Sequence, residues 1–560
     1  MSTALEAASL IMIPTSYSDG LLASAKPNDG AGDFTFSRGS NISATRVNAD
    51  GYIEKGYENL LLQSNSFDAT WTQVGSFNVI GNQQGYDSSN DAWSIESNNT
   101  AFDRRIQQSV SVSGVHTFVI YAKSNSTDWL LLYNGTDRVY FDLANGVVGS
   151  SKSGLIIDSK IESTSVTGWY RCTATFNRAI SFISVVPASG DGNSNVVTGN
   201  SIYIQDAMLN QGLVAYPYIE TTTAPVAGGV LEDMPRVDFS GNNQSLLLEP
   251  SRTNLISQSE YFDSWSKIGL SVSSNAVISP DGNLNGTEVN ITAGGHFLFD
   301  IISASPSTTY TFSWYAKRGT ASNVSYSVLD NTNIVEIIPS TSYYSNISST
   351  EWKRVSVEFT TPSNCSSVRP YILRDGGQLG TVYLYGAQLE QASYPTSYIP
   401  TYGVSQTRLV DNYTGAALSL DGVLGNTQGT IFYEFSNSLA TSRDVFVNYF
   451  SSPNGGFARF RNYFQTSGLT GVTSTNPFMG DIRGETKIAV SYGGGNMKMF
   501  TDGVENDSGT YTGDISLNSL YNPILNQTNE SLASNNSGIK KILFFPTALS
   551  DDECIALTTI

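Results

Sequence analysis

The sequence predicts an all-β chain, with tandem antiparallel β-sandwich or jelly-roll domains behind an extended N-terminal docking segment. Three observations carry this. Short apolar or alternating runs are bounded by Gly, Asn, Ser and Asp clusters, and helical i, i+3, i+4 periodicity is nowhere sustained through them. One pattern of apolar and polar residues occurs twice at domain-sized separation, the mark of tandem copies. The composition is polar but uncharged, with 40% hydrophobic, 14% charged and 11% aromatic residues and 50 glycines. That is too rich in aromatics for a disordered chain.

The repeated stretch reads Asn59-Leu60-Leu61-Leu62-Gln63-Ser64-Asn65-Ser66-Phe67-Asp68-Ala69-Thr70-Trp71 and again Asn254-Leu255-Ile256-Ser257-Gln258-Ser259-Glu260-Tyr261-Phe262-Asp263-Ser264-Trp265. Three later landmarks recur in the same order. Thr117-Phe118-Val119-Ile120-Tyr121-Ala122-Lys123 answers to Thr311-Phe312-Ser313-Trp314-Tyr315-Ala316-Lys317, Trp169 to Trp352, and Ile202-Tyr203-Ile204 to Val382-Tyr383-Leu384. The offsets fall from 195 through 194 and 183 to 180, as loop deletions in a collinear copy would make them.

Residues 1–57 form the extended segment, with a short strand at Asp33-Phe34-Thr35-Phe36 and a hairpin turn at Asp50-Gly51, where glycine accepts the positive φ the turn needs. So little core of its own implies that the segment leans on its downstream modules or on another subunit. Module one spans 58–222, with strands around Val115–Tyr121, Trp129–Tyr133, Arg138–Asp142 and Arg171–Phe176. A connector, 223–252, leads to module two at 253–403, whose clearest strands are Tyr310–Tyr315 and Arg354–Phe359. Residues 404–560 lack the repeated pattern and read as a further sandwich, with strands at Gly429–Phe435, Lys487–Tyr492 and Met497–Val504. Ser550 and Glu553 form a capping box for a short closing helix.

The net charge is −19, which repels a phosphate backbone and argues against nucleic-acid binding. No apolar run is long enough to span a bilayer, so membrane insertion is not expected. Three widely separated cysteines, Cys172, Cys365 and Cys554, form neither a disulfide framework nor a metal-ligand spacing. The stretch Met1 to Pro14 lacks a basic n-region and is interrupted by Glu6, so export by a secretory signal is not expected.

Two stretches resemble signatures of bacteriophage virion proteins. One is Asp33-Phe34-Thr35-Phe36-Ser37-Arg38 through Ala44-Thr45-Arg46-Val47-Asn48-Ala49-Asp50-Gly51. The other is Pro235-Arg236-Val237-Asp238-Phe239 through Leu248-Glu249-Pro250-Ser251-Arg252-Thr253-Asn254-Leu255. In that family they precede a jelly-roll module resembling carbohydrate-binding domains; here module one lies between them. The last domain is similar to concanavalin-like, laminin-G-type sandwiches in Gly429–Phe435, Met497–Val504 and Phe544–Glu553. The resemblance implies a head or tail fibre or related appendage at the particle surface, a homo-oligomer and, by family habit, a trimer. It also implies contact with other virion proteins through the N-terminal segment. Leu10, Ile11, Ile13, Phe34 and Phe36 are the docking residues that this reading selects.

The two histidines, His116 and His296, sit in no Ser-His-Asp or zinc pattern, and no catalytic or metal residue is assigned. No cofactor is expected. The turns Asp191-Gly192-Asn193-Ser194-Asn195 and Asp281-Gly282-Asn283-Leu284-Asn285 offer oxygen ligands that suit calcium, but neither has EF-hand spacing and both read as plain turns. Sugar binding is the sharper expectation, because rings stack on pyranose faces while amides and carboxylates pair with hydroxyls. Trp129, Tyr133, Trp314 and Tyr315 are the ligand candidates, although alternating aromatics also fill sandwich cores. The function expected is therefore a non-enzymatic virion component that attaches to host surface glycans. The alternatives are a tailspike-type glycan hydrolase built on paired carboxylates and a purely architectural part without ligand.

Overall fold

In a computed structural model of the chain, all residues are described except 1, 19, 41–42, 103, 153–154, 241–243, 375–378, 412–417, 420–421, 439–448, 452–456, 461–463, 468–472, 475–483, 513–518 and 522–536. Module one is a sandwich of two six-stranded antiparallel sheets. The first runs Val147–Lys152, Arg138–Asp142, Trp129–Tyr133, Ile180–Ala188, Arg105–Val112 and Thr72–Val74. The second is centred on Val115–Ser124, which pairs with Trp169–Asn177 on one side and Ser201–Gln211 on the other. Leu61, Phe67, Trp71, Phe118, Ile120, Ile183 and Val185 fill the space between the sheets. Module two repeats the plan with a six-stranded and a five-stranded sheet around Ile256, Phe262, Trp265, Phe312 and Trp314. It lacks a counterpart of Trp129–Tyr133, in keeping with the falling offsets.

The repeated stretch recurs because it builds the same latch twice. Asn59 donates from Nδ2 to the carbonyls of Ala207 and Ile219 and accepts at Oδ1 from the amides of Leu61 and Leu209, at 2.8–3.2 Å. Asn254 makes the same four bonds with Ala387, Ile399, Ile256 and Leu389, at 2.9–3.2 Å. Ser64 meets the hydroxyl of Tyr218 at 2.7 Å and Ser259 that of Tyr398 at 2.6 Å. Trp71 and Trp265 are buried, and their indole N–H groups donate to the carbonyls of Gln63 and Gln258. One asparagine thus satisfies four buried backbone groups that have no strand partner, which apolar residues cannot do.

The terminal domain is not built from its own residues alone. Its nine-stranded sheet includes Ser537–Phe545, whose outer edge pairs with Leu10–Met12 and Ser245–Leu248 through Leu10↔Phe544 and Leu246↔Ile539. Leu10, Met12, Leu22, Phe36, Leu246 and Leu248 share one core with Ile431, Tyr433, Met499 and Phe544. This corrects the docking expectation. Leu10 and Phe36 are buried within the chain at 0% and 3% exposure, Phe34 packs half-buried against the same core, and Ile11 packs beside the C-terminal helix. Ile13 is half-buried. An apolar strand left without local partners was completed by the chain's own far end. The closing helix Asp551–Thr558 carries the capping box, with Ser550 N–H donating to Glu553 at 2.8 Å. A second short helix, Ser2–Ala7, was not signalled by the sequence.

Three segments meet at a buried ionic cluster. Arg236 binds Glu249 at 2.9 Å and also Asp411; Arg38 binds Asp411 at 3.2 Å and Arg408 binds Glu249 at 2.7 Å, all with fully buried side chains. Burial alone would push the Glu249 carboxyl up, but the Arg408 and Arg236 guanidiniums overcome it and hold it down at about 2.

Two outcomes follow for stability. Asn254→Ala should lower unfolding free energy by about 3 kcal/mol in urea melts, since it orphans several buried backbone groups. Residues 404–560 produced alone should give no cooperative thermal transition and should bind a dye for exposed apolar surface; a sharp, dye-silent transition would show that the borrowed strands are dispensable.

Candidate functional site

Strand parity decides which aromatics face outward. In Thr309–Arg318 the residues Tyr310, Phe312, Trp314 and Ala316 point into the module-two core. Trp314 is therefore fully buried, edge-on to Tyr343 and Tyr326, and is corrected from ligand candidate to core residue. Tyr315 lies on the opposite parity, half-buried beneath the Arg354 guanidinium, and lines a cavity of about 130 Å³ with Thr45, Asp238 and Tyr398. That cavity lies between module two, the N-terminal segment and the connector. In Trp129–Tyr133 the core residues are Leu130 and Leu132, so Trp129, Leu131 and Tyr133 project from the outer face of the sheet.

Around Tyr133 this outer face has a definite chemistry. Cross-strand register places Gln107, Ser184, Tyr133 and Arg138 in one row across four strands. The Arg138 guanidinium lies 4.7 Å from the Tyr133 ring centre and that of Arg105 lies 5.6 Å from it. Phe182 meets Tyr133 edge-on at 5.7 Å, with Arg105 4.9 Å over its own ring. Arg105 donates to Gln107 at 2.7 Å and Ser184 to the Tyr133 carbonyl at 2.7 Å. Tyr133, Phe182, Arg105 and Arg138 are each half-buried, so rings and guanidiniums form a surface rather than a core.

Module two carries a related cluster on the corresponding outer face. Phe299 and Phe297 pack against Tyr371 at 4.8 and 5.8 Å. Arg369 lies 4.8 Å over Phe299 and Arg374 4.8 Å over Tyr371. Arg369 is held by Asn331 and by the Tyr371 hydroxyl at 3.2 Å. Arg374 donates to Ser327 at 3.1 Å and pairs with Glu336 at 2.6 Å. Of these residues only Tyr133 was selected from sequence. In module two the missed signal was an arginine two positions from an aromatic in the same strand, Arg369-Pro370-Tyr371; the Arg138–Tyr133 pair crosses strands and had no such signal.

The other candidates resolve into structure. His116 and His296 are buried in their sandwiches, and burial pulls the His116 imidazole down to about 4, so it is neutral at physiological pH. The Asp281 turn, one of two weighed for calcium, is filled by the chain itself. The Lys55 ammonium lies 2.6 Å from Asp281 Oδ2 and 3.0 Å from Glu260 Oε1, and the Tyr385 hydroxyl donates to both carboxylates. Burial works against the charged Asp281, but Lys55 outweighs it and keeps the carboxyl down at about 2. At the equivalent place in module one the Gln205 amide donates to Asp91 at 2.7 Å and to Asp87 at 3.3 Å. The other turn is tied by Asp191 accepting from the Ser150 amide at 2.7 Å. Among the described residues no group of three or more His, Cys, Asp or Glu side chains is arranged to hold a metal, and no helix is long and apolar enough to cross a membrane.

The fold and faces define a class: tandem jelly-roll modules with ring-bearing outer sheets, closed by a third β-sandwich. No family model and no curated protein matches the chain. Among solved structures, the chain is similar to the N-terminal CBM22-1–CBM22-2 tandem domain of Paenibacillus barcinonensis Xyn10C, at 10% identity over 62% of this chain and 98% of that one, with a TM-score of 0.20. It is also similar to the tandem CBM51 modules of the family 98 glycoside hydrolase from Streptococcus pneumoniae, at 12% identity over 58% and 98%, with a TM-score of 0.17. The LG1–3 region of the laminin α2 chain matches at 11% identity over 81% and 97%, with a TM-score of 0.16. Likeness at this level carries no argument about function.

The Lys55 hub makes a signed prediction. Asp281 is depressed from its ordinary 3.8 to about 2, so its contribution is complete above pH 3.8 and is lost as pH falls toward 2. Lys55→Met leaves two buried carboxylates unpaired and should cost about 3–5 kcal/mol at neutral pH. The variant should then regain stability on mild acidification, as those carboxyls take up protons, where the native chain gains nothing from them. Urea melts between pH 7 and 4 check the gain in the variant against the flat response of the native pair.

Proposed function

We propose that this chain is a non-enzymatic, adhesive component of a bacteriophage particle surface that attaches to host cell-surface glycans through the outer sheet faces of its two modules. The observation that carries the glycan part is the pair of ring–guanidinium clusters, Tyr133–Phe182 with Arg105 and Arg138, and Phe297–Phe299–Tyr371 with Arg369 and Arg374. The half-buried rings of Tyr133, Phe182, Phe297 and Phe299, fixed by stacked cations, offer flat apolar area to a pyranose, with Gln107 and Asn331 alongside for its hydroxyls. Binding without cleavage is favoured because the closely set carboxylates Glu260 and Asp281 are buried and neutralised by Lys55, out of a polysaccharide's reach. The particle setting rests on the resemblance of the two signature stretches, and so does assembly as a homo-oligomer, a trimer. Several weak faces per particle would multiply through effective concentration.

The test uses the full chain with purified host polysaccharide in titration calorimetry and in size analysis of the polymer. Saturable binding with polymer length unchanged is expected, falling at least tenfold in a Tyr133→Ala, Phe299→Ala double variant that melts like the native chain. Shortened polymer would overturn the non-enzymatic reading, and no binding at all would leave an architectural part.

A further inference from the structure

The two faces hold their guanidiniums differently, and the difference names a ligand class: in module two Arg369 has no carboxylate among the described residues, but its donors are taken by Asn331 and the Tyr371 hydroxyl. In module two, Arg374 is neutralised on the face itself by Glu336 at 2.6 Å. In module one, Arg138 makes no ion pair among the described residues, and its Nε–H has no hydrogen-bond partner. Its sequence neighbours do not supply one. Asp137 is drawn away to Arg178 at 3.1 Å. Asp142, at the far end of the same strand, caps its own turn through the amides of Ala144 and Asn145 at 3.0 and 3.1 Å.

We infer that the module-one face binds an acidic saccharide, a pyranoside carrying a carboxylate, with its ring on Tyr133 and its carboxylate on Arg138. This rests on the glycan-binding reading and narrows it. A planar guanidinium matches a carboxylate through paired N–H donors, and the stack on Tyr133 fixes the plane of that fork before the ligand arrives. Gln107, half-buried in the same row, lies where a hydroxyl of the stacked ring would fall. On the module-two face Arg374 is paired with Glu336 and the Arg369 donors are taken by Asn331 and Tyr371, so that face suits a neutral residue and serves as an internal control.

The experiment measures binding of the full chain to polygalacturonate, hyaluronate and alginate, each in native form and after carboxyl reduction. At least one native polymer should bind tenfold or more tightly than its reduced form, with affinity falling as salt rises. Arg138→Gln should abolish that preference while keeping the native melting temperature. Arg138→Lys, which keeps the charge, should retain part of it. Equal affinity for native and reduced forms would overturn the acidic-ligand inference and leave glycan binding standing. Failure of every polymer in both forms would overturn both. A preference that survives Arg138→Gln would also overturn it, placing the anion elsewhere.

Discussion

The structure depends on a buried set of charges that no single segment can satisfy. Arg38 comes from the N-terminal stretch, Arg236 and Glu249 from the connector, and Arg408 and Asp411 from the chain beyond module two. Ser397 adds its amide and hydroxyl to Glu249 at 2.7 and 2.6 Å. Three guanidiniums face two shared carboxylates, with Glu390 also buried close by and holding Thr396. In water each of these ions is well solvated; here each is tolerable only while the others are in place, because an unpaired buried charge costs several kcal/mol. Such a cluster contributes little as a sum of attractions, but it makes partial unfolding expensive. Arg38, Arg236 and Glu249 are spent on joining the chain to itself.

The Lys55 hub does the same for module two. Its ammonium is supplied by the strand Ile53–Asn59, which lies before module one, yet its carboxylates and hydroxyls belong to module two. The extended segment is thus clamped on both sides, by arginine chemistry against the connector and by Lys55 against the second sandwich. Its apolar residues complete the third domain. Linear order and spatial order diverge almost completely in these first sixty residues.

That divergence marks what the sequence could convey. Whatever is written in local periodicity or in the repeat was legible: the sandwiches, the twin latches at Asn59 and Asn254, the capping box at Ser550. Placement of Leu10 and Phe36 was not, because their partners lie several hundred residues away and a three-residue strand has no pattern of its own. The Asp281 turn read as an oxygen-rich loop because the cation that fills it is distant in the chain. Parity within Thr309–Arg318 was available, since Thr311 and Ser313 mark the polar side and place Trp314 on the other. The outer faces needed cross-strand register, which brings Arg138 beside Tyr133 and Tyr371 beside Phe299.

Rigid joining also bears on recognition. The two modules touch through the Val115 amide on the Tyr402 carbonyl at 2.8 Å, and through Asn275 reaching Asp158 and the Leu213 carbonyl at 2.9 and 3.1 Å. Gly114 sits at φ +91°, and a Cβ there would overlap the Tyr402 carbonyl oxygen, so the contact is too close for any other residue. Clamped by Lys55 and the arginine cluster as well, the two faces cannot drift as they would on a flexible linker. A polymer that reaches both then meets a second site whose orientation is already fixed, and the entropy of ordering the modules is spent in folding rather than in binding. Under the proposed function, individually weak stacking on Tyr133 and Phe299 would then be enough. The same condition would make adhesion vulnerable to substitutions far from either face, since loosening Gly114 or Lys55 would separate the sites without touching a ring.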